Sequence, residues 1–190
     1  MAVAMRPAER ALFESLLRCA RNFVEFGAGG STLFAAGLVK ETIISLDSSK
    51  EWLDRVLDDC VAFKAPILPK LIYIDIGETK EWGFPKDESA RDRWPDYYTK
   101  IWSVEGAKEA DLYLVDGRFR VACFMQTLLN APPHALIAIH DFANRANYHV
   151  VREVADERAS AENFSVFTRK VNFDHALAED ILNRHKLIAQ

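Results

Sequence analysis

Two glycines and two acids are spaced in a way that suits the binding of a nucleoside. Glu25, Gly27 and Gly29 alternate at the end of a short apolar run, and Asp47 ends the next apolar run, 18 residues after Gly29. Glycines let the backbone pass close to a ligand, and amides at the start of the next helix, at Ser31, face its polar groups. The acid accepts hydrogen bonds from ribose hydroxyls. The sequence therefore predicts a nucleoside-binding crevice here.

Acids recur at the end of every apolar run that reads as a parallel strand. The acids are Glu25, Asp47, Asp75, Asp116 and Asp141. The carboxyl ends of parallel strands meet at one edge of a sheet, where clustered like charges destabilise the fold unless a ligand or a metal offsets them. The pattern indicates a functional rim.

The elements that must position these residues alternate along the chain. Short apolar runs predict parallel strands at 22–26, 41–46, 71–76, 111–115 and 135–139. Apolar residues at helical spacing predict helices at 7–21, 31–38, 52–61, 97–108 and 118–130. An edge strand at 164–169 and a last helix at 174–186 follow. We expect one α/β domain over residues 1–190, a doubly wound, mostly parallel sheet with helices on both faces and its site at the carboxyl ends of the strands.

Charge and composition limit the partners. Lys and Arg total 24 against 28 Asp and Glu, for a net charge of −4, so no broad cationic surface for nucleic acid is expected. A local group of arginines could still suit a small anionic substrate, unless neighbouring acids pair with them: Arg91, Arg93, Arg118 and Arg120.

No apolar run approaches the roughly 18 residues of a membrane span, and the first ten residues lack the apolar centre of a signal peptide. We therefore expect a cytoplasmic protein that does not bind membranes. No apolar surface run indicates an oligomeric state.

The order Glu25-x-Gly27-x-Gly29 followed by Asp47 resembles that of the class I S-adenosylmethionine-dependent methyltransferases, over residues 22–155. The resemblance implies that S-adenosylmethionine is the cofactor. The glycine turn would hold its methionine part, with Glu25 nearby. Asp47 would bind the ribose, and Asp75 would face the adenine.

Two of these assignments have structural alternatives. Asp47 could cap the following helix together with Ser48 and Ser49. Asp75 could instead form a turn before Gly77.

The predicted catalytic residues are Asp116, His140 and Asp141. Asp116-Gly117-x-x-Arg120 falls where the family's fourth-strand motif contacts the methyl group and the substrate. The Asn-Pro-Pro-Tyr type motif of many amino-methylating members is absent, and the segment looks more like that of small-molecule O-methyltransferases. His140 has a suitable pKa to act as a general base towards a hydroxyl, although a lone histidine can also be structural.

A divalent cation held by Asp116, Asp141 and Asn144 or His140 is a disfavoured alternative. Some O-methyltransferases use two acids and an amide in this way. They tend to place the amide directly after the acid, whereas Asn144 lies three residues past Asp141. We therefore predict no metal site.

The irregular segment 77–96 is rich in aromatic residues and longer than an ordinary connection, which favours a lid. Trp82, Trp94 and Tyr97 or Tyr98 are the candidates for closing over cofactor and acceptor. Alternatively, they pack the segment onto the sheet.

These observations predict methyl transfer to a small hydroxyl- or carboxyl-bearing metabolite. A methyltransferase-like module that binds a ligand or partner without turnover is the alternative. A nicotinamide oxidoreductase is disfavoured, because Thr32 stands where a dinucleotide-binding turn has its third glycine. The family usually ends with two edge strands, and we expect this chain to depart from that pattern with one.

Overall fold

A seven-stranded sheet forms the centre of the computed structural model, which describes residues 1–190. Its strands are β1 (Asn22–Phe26), β2 (Thr42–Asp47), β3 (Lys70–Tyr73), β4 (Leu112–Val115), β5 (Leu136–Ile139), β6 (Ala155–Ala161) and β7 (Phe164–Arg169). Their spatial order is β3-β2-β1-β4-β5-β7-β6, and only the β5–β7 and β7–β6 pairs are antiparallel. The chain leaves β1 towards β2 and later returns to its other side at β4, so the topological switch point lies between β1 and β4.

Helices cover both faces, as the alternating pattern predicts. The helices are α1 (Pro7–Cys19), α2 (Gly30–Ala36), α3 (Lys50–Ala62), α4 (Asp96–Thr99), α5 (Arg120–Asn130) and α6 (His175–His185). Successive residues of a strand point to opposite faces, so Phe23 packs in the apolar cluster with α1 to α3, and Val24 packs in the cluster with α4 to α6. The predicted doubly wound fold is confirmed. No helix combines the length and apolar character that crossing a bilayer requires.

The third strand is shorter than the predicted 71–76. β3 ends at Tyr73 because its neighbour β2 ends at Asp47, with which Tyr73 is in register. Ile74 still donates one hydrogen bond to the Asp47 carbonyl, and Ile74 and Ile76 are buried. The apolar sequence pattern continues past the end of β3 because Ile74 and Ile76 pack in the core, although no residue of β2 pairs with them.

The predicted helix at 97–108 is wrong. Only α4 and a 3-10 turn, Lys100–Ser103, are helical there. The chain then becomes extended at Val104, and Gly106 has a φ of +88°. Buried aromatic side chains, Tyr98 and Trp102 among them, imitate helical spacing because the segment packs closely on the sheet.

The expectation of a single edge strand is also wrong. β6 precedes β7 and pairs with it through a register shift between Glu157 and Ala159. Its sequence is polar and alanine-rich, and most of its side chains are at least partly exposed, so it lacks the apolar alternation of a strand. Pairing with β7 makes it a strand, and the chain has both edge strands usual in the family.

Candidate active site

The glycine turn after β1 lies against the turn after β4, at the switch point of the sheet. Gly27 has a φ of +99°, and a Cβ there would lie 2.5 Å from the Cα of Gly117. The amides of Gly27 and Ala28 donate to the Leu46 carbonyl at 2.9 and 3.0 Å, so the turn also adjoins the end of β2. The Gly29 amide donates to the Thr32 hydroxyl at 2.9 Å. The predicted turn is present, and these three amides are used within the protein.

Glu25 lies beneath this turn and is fully buried. Its carboxylate accepts hydrogen bonds from the hydroxyls of Ser31 and Thr32 at the start of α2, and from Ser45 of β2 at 3.0 Å. Burial raises the pKa of Glu25 to about 7, although the three hydroxyls oppose the shift. Glu25 and Ser31, both predicted to bind the cofactor, therefore hold the turn onto α2 from below.

Asp47 ends β2 beside the glycine turn and is partly buried. Burial raises its pKa to about 6, against the effect of the Ser49 and Ser48 amides, of which Ser49 donates at 2.9 Å. The N-cap of α3 is Ser49, whose hydroxyl accepts from the Trp52 amide at 3.2 Å. Ser49 therefore caps helix α3, and Asp47 organises the turn that precedes the helix.

An open cavity of about 460 Å³ lies beyond the ends of β2 and β3. Its lining includes Ser48, Ser49, Tyr73, Asp75 and Arg93. Asp75 accepts from the Gly77 amide at 2.9 Å, which is the turn expected as its alternative role, and forms an ion pair with Arg93. Asp75 therefore lines a cavity of ligand size, next to the residues that follow Asp47.

Asp116, His140 and Asp141 come together at the ends of β4 and β5, with one potential ligand atom from each within 4.8 Å of the others. Arg120, in the first turn of α5, bridges the two acids: its Nη2 lies 3.1 Å from Asp116 Oδ1 and its Nη1 lies 3.0 Å from Asp141 Oδ2. Arg145 also reaches Asp141, at 3.2 Å. The negative charges of Asp116 and Asp141 are thus offset by guanidinium groups of the protein itself. The sequence pattern had indicated a ligand or a metal in that role.

Arg120 also bears on the metal alternative. A divalent cation between Asp116 and Asp141 would have to compete with a guanidinium that already contacts both carboxylates. Burial by itself raises the pKa of Asp116, but the charge of Arg120 and the hydrogen bond from His140 outweigh it, so the pKa is lowered. Asn144 is exposed in the turn that follows Asp141. The geometry favours an ion-pair cluster over a metal centre.

Both ring nitrogens of His140 contact carboxylates. Nδ1 lies 3.1 Å from Asp116 Oδ1, and Nε2 lies 3.4 Å from Oε2 of Glu9, a buried residue of α1. Burial lowers the pKa of His140, but the hydrogen bond and charge of Asp116 outweigh it and the pKa is raised. A histidine bonded in this way has no free nitrogen to accept a proton, so this geometry favours a positioning role over that of a general base.

Glu9 was missed by sequence reasoning. In the sequence it is an acid in the first turn of a helix, and its carboxylate does accept from the Arg6 amide at 2.8 Å. It also accepts from the Asn163 amide at 2.9 Å, in the turn between β6 and β7. No sequence signal places Glu9 beside His140, because the contact joins residues 131 positions apart.

The segment 77–96 divides into an exposed part and a buried part. Residues 78–86 form a small hairpin, closed by hydrogen bonds from Lys80 to Phe84 and from Lys86 to Glu78. Trp82 at its tip is 78% exposed. Trp94 and Tyr97 are instead buried, each with its ring centroid 5.6 Å from that of Phe119.

Tyr98 packs on the same Phe119 ring at 6.3 Å. Trp94, Tyr97 and Tyr98 therefore pack in the core, which is the alternative to a lid role. The Tyr97 hydroxyl accepts from the Arg118 amide at 3.3 Å and leaves no space for a side chain at Gly117.

The fold matches that of known methyltransferase structures. A methyltransferase-like protein from Silicibacter pomeroyi DSS-3 is 28% identical, with a TM-score of 0.87 over 98% of this chain and 97% of that chain. An O-methyltransferase from Bacillus cereus in complex with S-adenosylhomocysteine has a TM-score of 0.54 at 14% identity, over 90% of this chain and 84% of that chain. No family model and no curated protein matches the sequence.

An RNA methyltransferase from Salinibacter ruber in complex with S-adenosyl-L-homocysteine shares the fold at 11% identity, with a TM-score of 0.59 over 92% of this chain and 99% of that chain. The same fold thus serves very different acceptors. The chain is thus similar in fold to the class I S-adenosylmethionine-dependent methyltransferases, which confirms the resemblance seen in its sequence. Within that class, it is similar over nearly its whole length to the methyltransferase-like protein from Silicibacter pomeroyi.

Proposed function

We propose that this protein transfers the methyl group of S-adenosylmethionine to a small hydroxyl- or carboxyl-bearing molecule. The observation that carries the proposal is the meeting of the Gly27 turn with the end of β2, where Asp47 lies, next to the switch point of a methyltransferase fold. The nearby cavity of about 460 Å³ has the size of a small-ligand site. The net charge of −4 argues against RNA as the acceptor.

The residues present fit such a cofactor. Asp47 would accept from the ribose hydroxyls, and the cavity bordered by Asp75 would receive the adenine. The turn from Gly27 to Gly29 would lie along the methionine part. When bound, the cofactor supplies an electrophilic methyl group on a sulfonium.

The remaining task of the protein is to position the acceptor and exclude water. Asp116 and Asp141 keep about a quarter of their side-chain surface exposed, at 24% and 28%. Either carboxylate can accept the hydrogen bond of an acceptor hydroxyl and align its oxygen. His140 holds Asp116 in place, and Arg120 lowers the pKa of Asp116 and bridges it to Asp141.

Replacing Asp47 tests the proposal. We expect S-adenosylhomocysteine to bind the wild type, and Asp47→Ala to weaken binding by roughly 10- to 100-fold, because a hydrogen bond to a charged group contributes about 1.5–3 kcal/mol. Isothermal titration calorimetry measures both affinities. Asp54→Ala is the matched control, since Asp54 is an exposed acid on α3. Equal affinity in Asp47→Ala and the wild type would contradict the ribose assignment.

A binding module without turnover is the second candidate. Two close contacts favour this second candidate: Gly27 packs against Gly117, and the Tyr97 hydroxyl lies over Gly117. These groups occupy the switch point, where a methyl group would be transferred. A radiolabelled methyl-transfer assay with a panel of phenols, alcohols and carboxylic acids separates the two functions once cofactor binding is established. Transfer to any acceptor supports the enzyme, and binding without transfer supports the module.

A further inference from the structure

Arg118, in the turn between β4 and α5, carries a buried charge without a partner. Its side chain is buried, with the residue 7% exposed, and its Nη1 has no hydrogen-bond partner. No carboxylate oxygen lies within 4.0 Å of its guanidinium. Buried charged groups in proteins are normally paired, because removal from water is costly otherwise. An unsatisfied guanidinium therefore calls for an explanation.

The other rim arginines are paired. Arg91 contacts Glu88 at 2.9 Å, Arg93 contacts Asp75, and Arg145 contacts Asp141. Of the four arginines that the sequence grouped as a local patch, only Arg118 takes part in no ion pair. The structure thus separates one candidate ligand-binding arginine from its neighbours.

The surroundings of Arg118 add positive charge to the crevice. The charge of Arg120, after burial, is the largest influence that lowers the pKa of Arg118, and Arg145 acts in the same direction. The nearby acids Asp116 and Asp141 are already bonded to Arg120. Arg118 is therefore the guanidinium of this cluster that has no acid of its own, and a bound anion would pair with it.

The position of Arg118 connects it with the proposed cofactor crevice. Its Cζ lies 4.0 Å from the ring centroid of Phe84, in the hairpin of residues 78–86. Burial raises the pKa of Asp47, and the charge of Arg118 opposes this rise. The guanidinium therefore lies within electrostatic range of the proposed ribose acid. Stacking on Phe84 holds the guanidinium in place, while its buried Nη1 keeps an unused hydrogen-bond donor.

We propose that Arg118 binds a carboxylate of the ligand in this crevice. A guanidinium presents two parallel N–H groups that match the two oxygens of a carboxylate. The proposal rests on the proposed function, in which the crevice receives cofactor and acceptor. The carboxylate belongs either to the amino-acid end of the cofactor or to the acceptor.

Two ligand comparisons distinguish these sources in the wild type and in Arg118→Gln. The first compares S-adenosylhomocysteine with 5′-methylthioadenosine, which lacks the amino-acid group. The second measures malonate binding with S-adenosylhomocysteine present, at constant ionic strength set with chloride. Calorimetry gives each affinity, and Arg91→Gln, which changes an exposed arginine paired with Glu88, is the matched control.

If the cofactor supplies the carboxylate, Arg118→Gln weakens S-adenosylhomocysteine at least tenfold and leaves 5′-methylthioadenosine unchanged. If the acceptor supplies it, both nucleosides bind as before and malonate binding is lost. The proposal is overturned if Arg118→Gln matches the wild type for all three ligands. Failure of both nucleosides to bind the wild type counts against the proposed function, while malonate still tests Arg118.

The fold of the variant is checked by its unfolding midpoint. Removing an unpaired buried charge should leave the midpoint unchanged or higher, which distinguishes a binding residue from a structural one. Arg118→Lys is a second variant that keeps the charge but loses the planar fork, so it should bind the carboxylate more weakly than the wild type and more tightly than Arg118→Gln. Equal loss in both variants, with a lowered midpoint, would assign Arg118 a structural role instead.

Discussion

Single residues at the rim have different protonation behaviour because their surroundings differ. Glu25 is fully buried among hydroxyls, which stabilise a carboxylate less than a cation does, and its pKa rises to about 7. Asp116 has the charges of Arg120 and His140 beside it, and its pKa falls despite burial. Two acids in adjacent strands of the same sheet therefore differ in charge near neutral pH. The acid of the glycine motif is a structural, proton-binding group, and the acid of β4 remains a carboxylate.

Glu25 should make the protein less stable as the pH rises. Its pKa is about 4.5 when unfolded and about 7 when folded, so the folded state binds the proton more tightly and stability falls between these values. Glu25→Gln lacks this dependence. Relative to the wild type, we expect the variant to gain on the order of 3 kcal/mol between pH 4.5 and pH 8, from about 1.4 kcal/mol per pKa unit.

Urea denaturation of both proteins at several pH values measures the difference in free energy of unfolding. The contribution of Asp47 is common to both proteins and cancels. Parallel stability curves for the two proteins would show that Glu25 is ionised in the fold.

At the scale of elements, the site depends on how closely two turns approach each other. The β1–α2 turn and the β4–α5 turn meet at Gly27 and Gly117, so the backbone of one occupies the space that a side chain of the other would need. Residues after β4 and β5 are also constrained, since Phe119 and Asp141 have φ values of 54° and 58°. Bulky residues in the left-handed region are uncommon and cluster at functional sites. The carboxyl ends of β4 and β5 are thus each followed by a residue with left-handed backbone.

Gly27→Ala should therefore destabilise the protein by more than 1 kcal/mol, because the new Cβ would lie 2.5 Å from Gly117 Cα and the φ of +99° is unfavourable for alanine. Gly37→Ala is the control: Gly37 has a φ of −91°, and its nearest contact would be 3.7 Å away. That control should be neutral or stabilising by about 0.4–1 kcal/mol. Thermal and chemical unfolding measure both variants, and a similar small effect for each would mean that the two turns do not pack as described.

Over the whole molecule, one ionic network connects parts of the chain that are far apart in sequence. Glu9 of α1 reaches Asn163 between β6 and β7, and it reaches His140 at the end of β5. His140 continues to Asp116 at the end of β4. Helix α1 covers one face of the sheet, and α5, which carries Arg120, covers the other. The network therefore ties both layers to the proposed catalytic rim.

His140→Gln should destabilise the protein more at low pH than at high pH. The folded pKa of His140 is raised above 6.5, so the stability from its imidazolium is fully present below about 6.5 and is lost as the pH rises through the folded value. We expect a loss of about 1–3 kcal/mol at pH 6 and a smaller loss at pH 9. Denaturation at both pH values measures it.

Glu9→Gln in the same background serves as the control for this network, because the two substitutions should not be additive if the residues interact. Additive effects would mean that Glu9 and His140 do not interact, and a loss that is the same at pH 6 and pH 9 would mean that folding does not raise the pKa of His140.

Local sequence patterns suffice to predict the class of fold, the glycine turn, the acids that end the strands and the similarity to the class I methyltransferases. Each of these follows from local pattern: apolar periodicity, glycine spacing and short strand-to-helix turns are properties of neighbouring residues. The polar strand β6 and the end of β3 escaped prediction, because a partner strand decides whether such residues join a ladder.

Contacts between distant parts of the chain set which acids are charged, which are paired and which face the cavity. Glu25 is fully buried beneath the glycine turn, while Arg118 stands unpaired among arginines that read alike in the sequence. The reason is physical: protonation and pairing depend on burial and on charges brought together from distant parts of the chain, such as Glu9 and His140. Sequence spacing carries no information about these contacts.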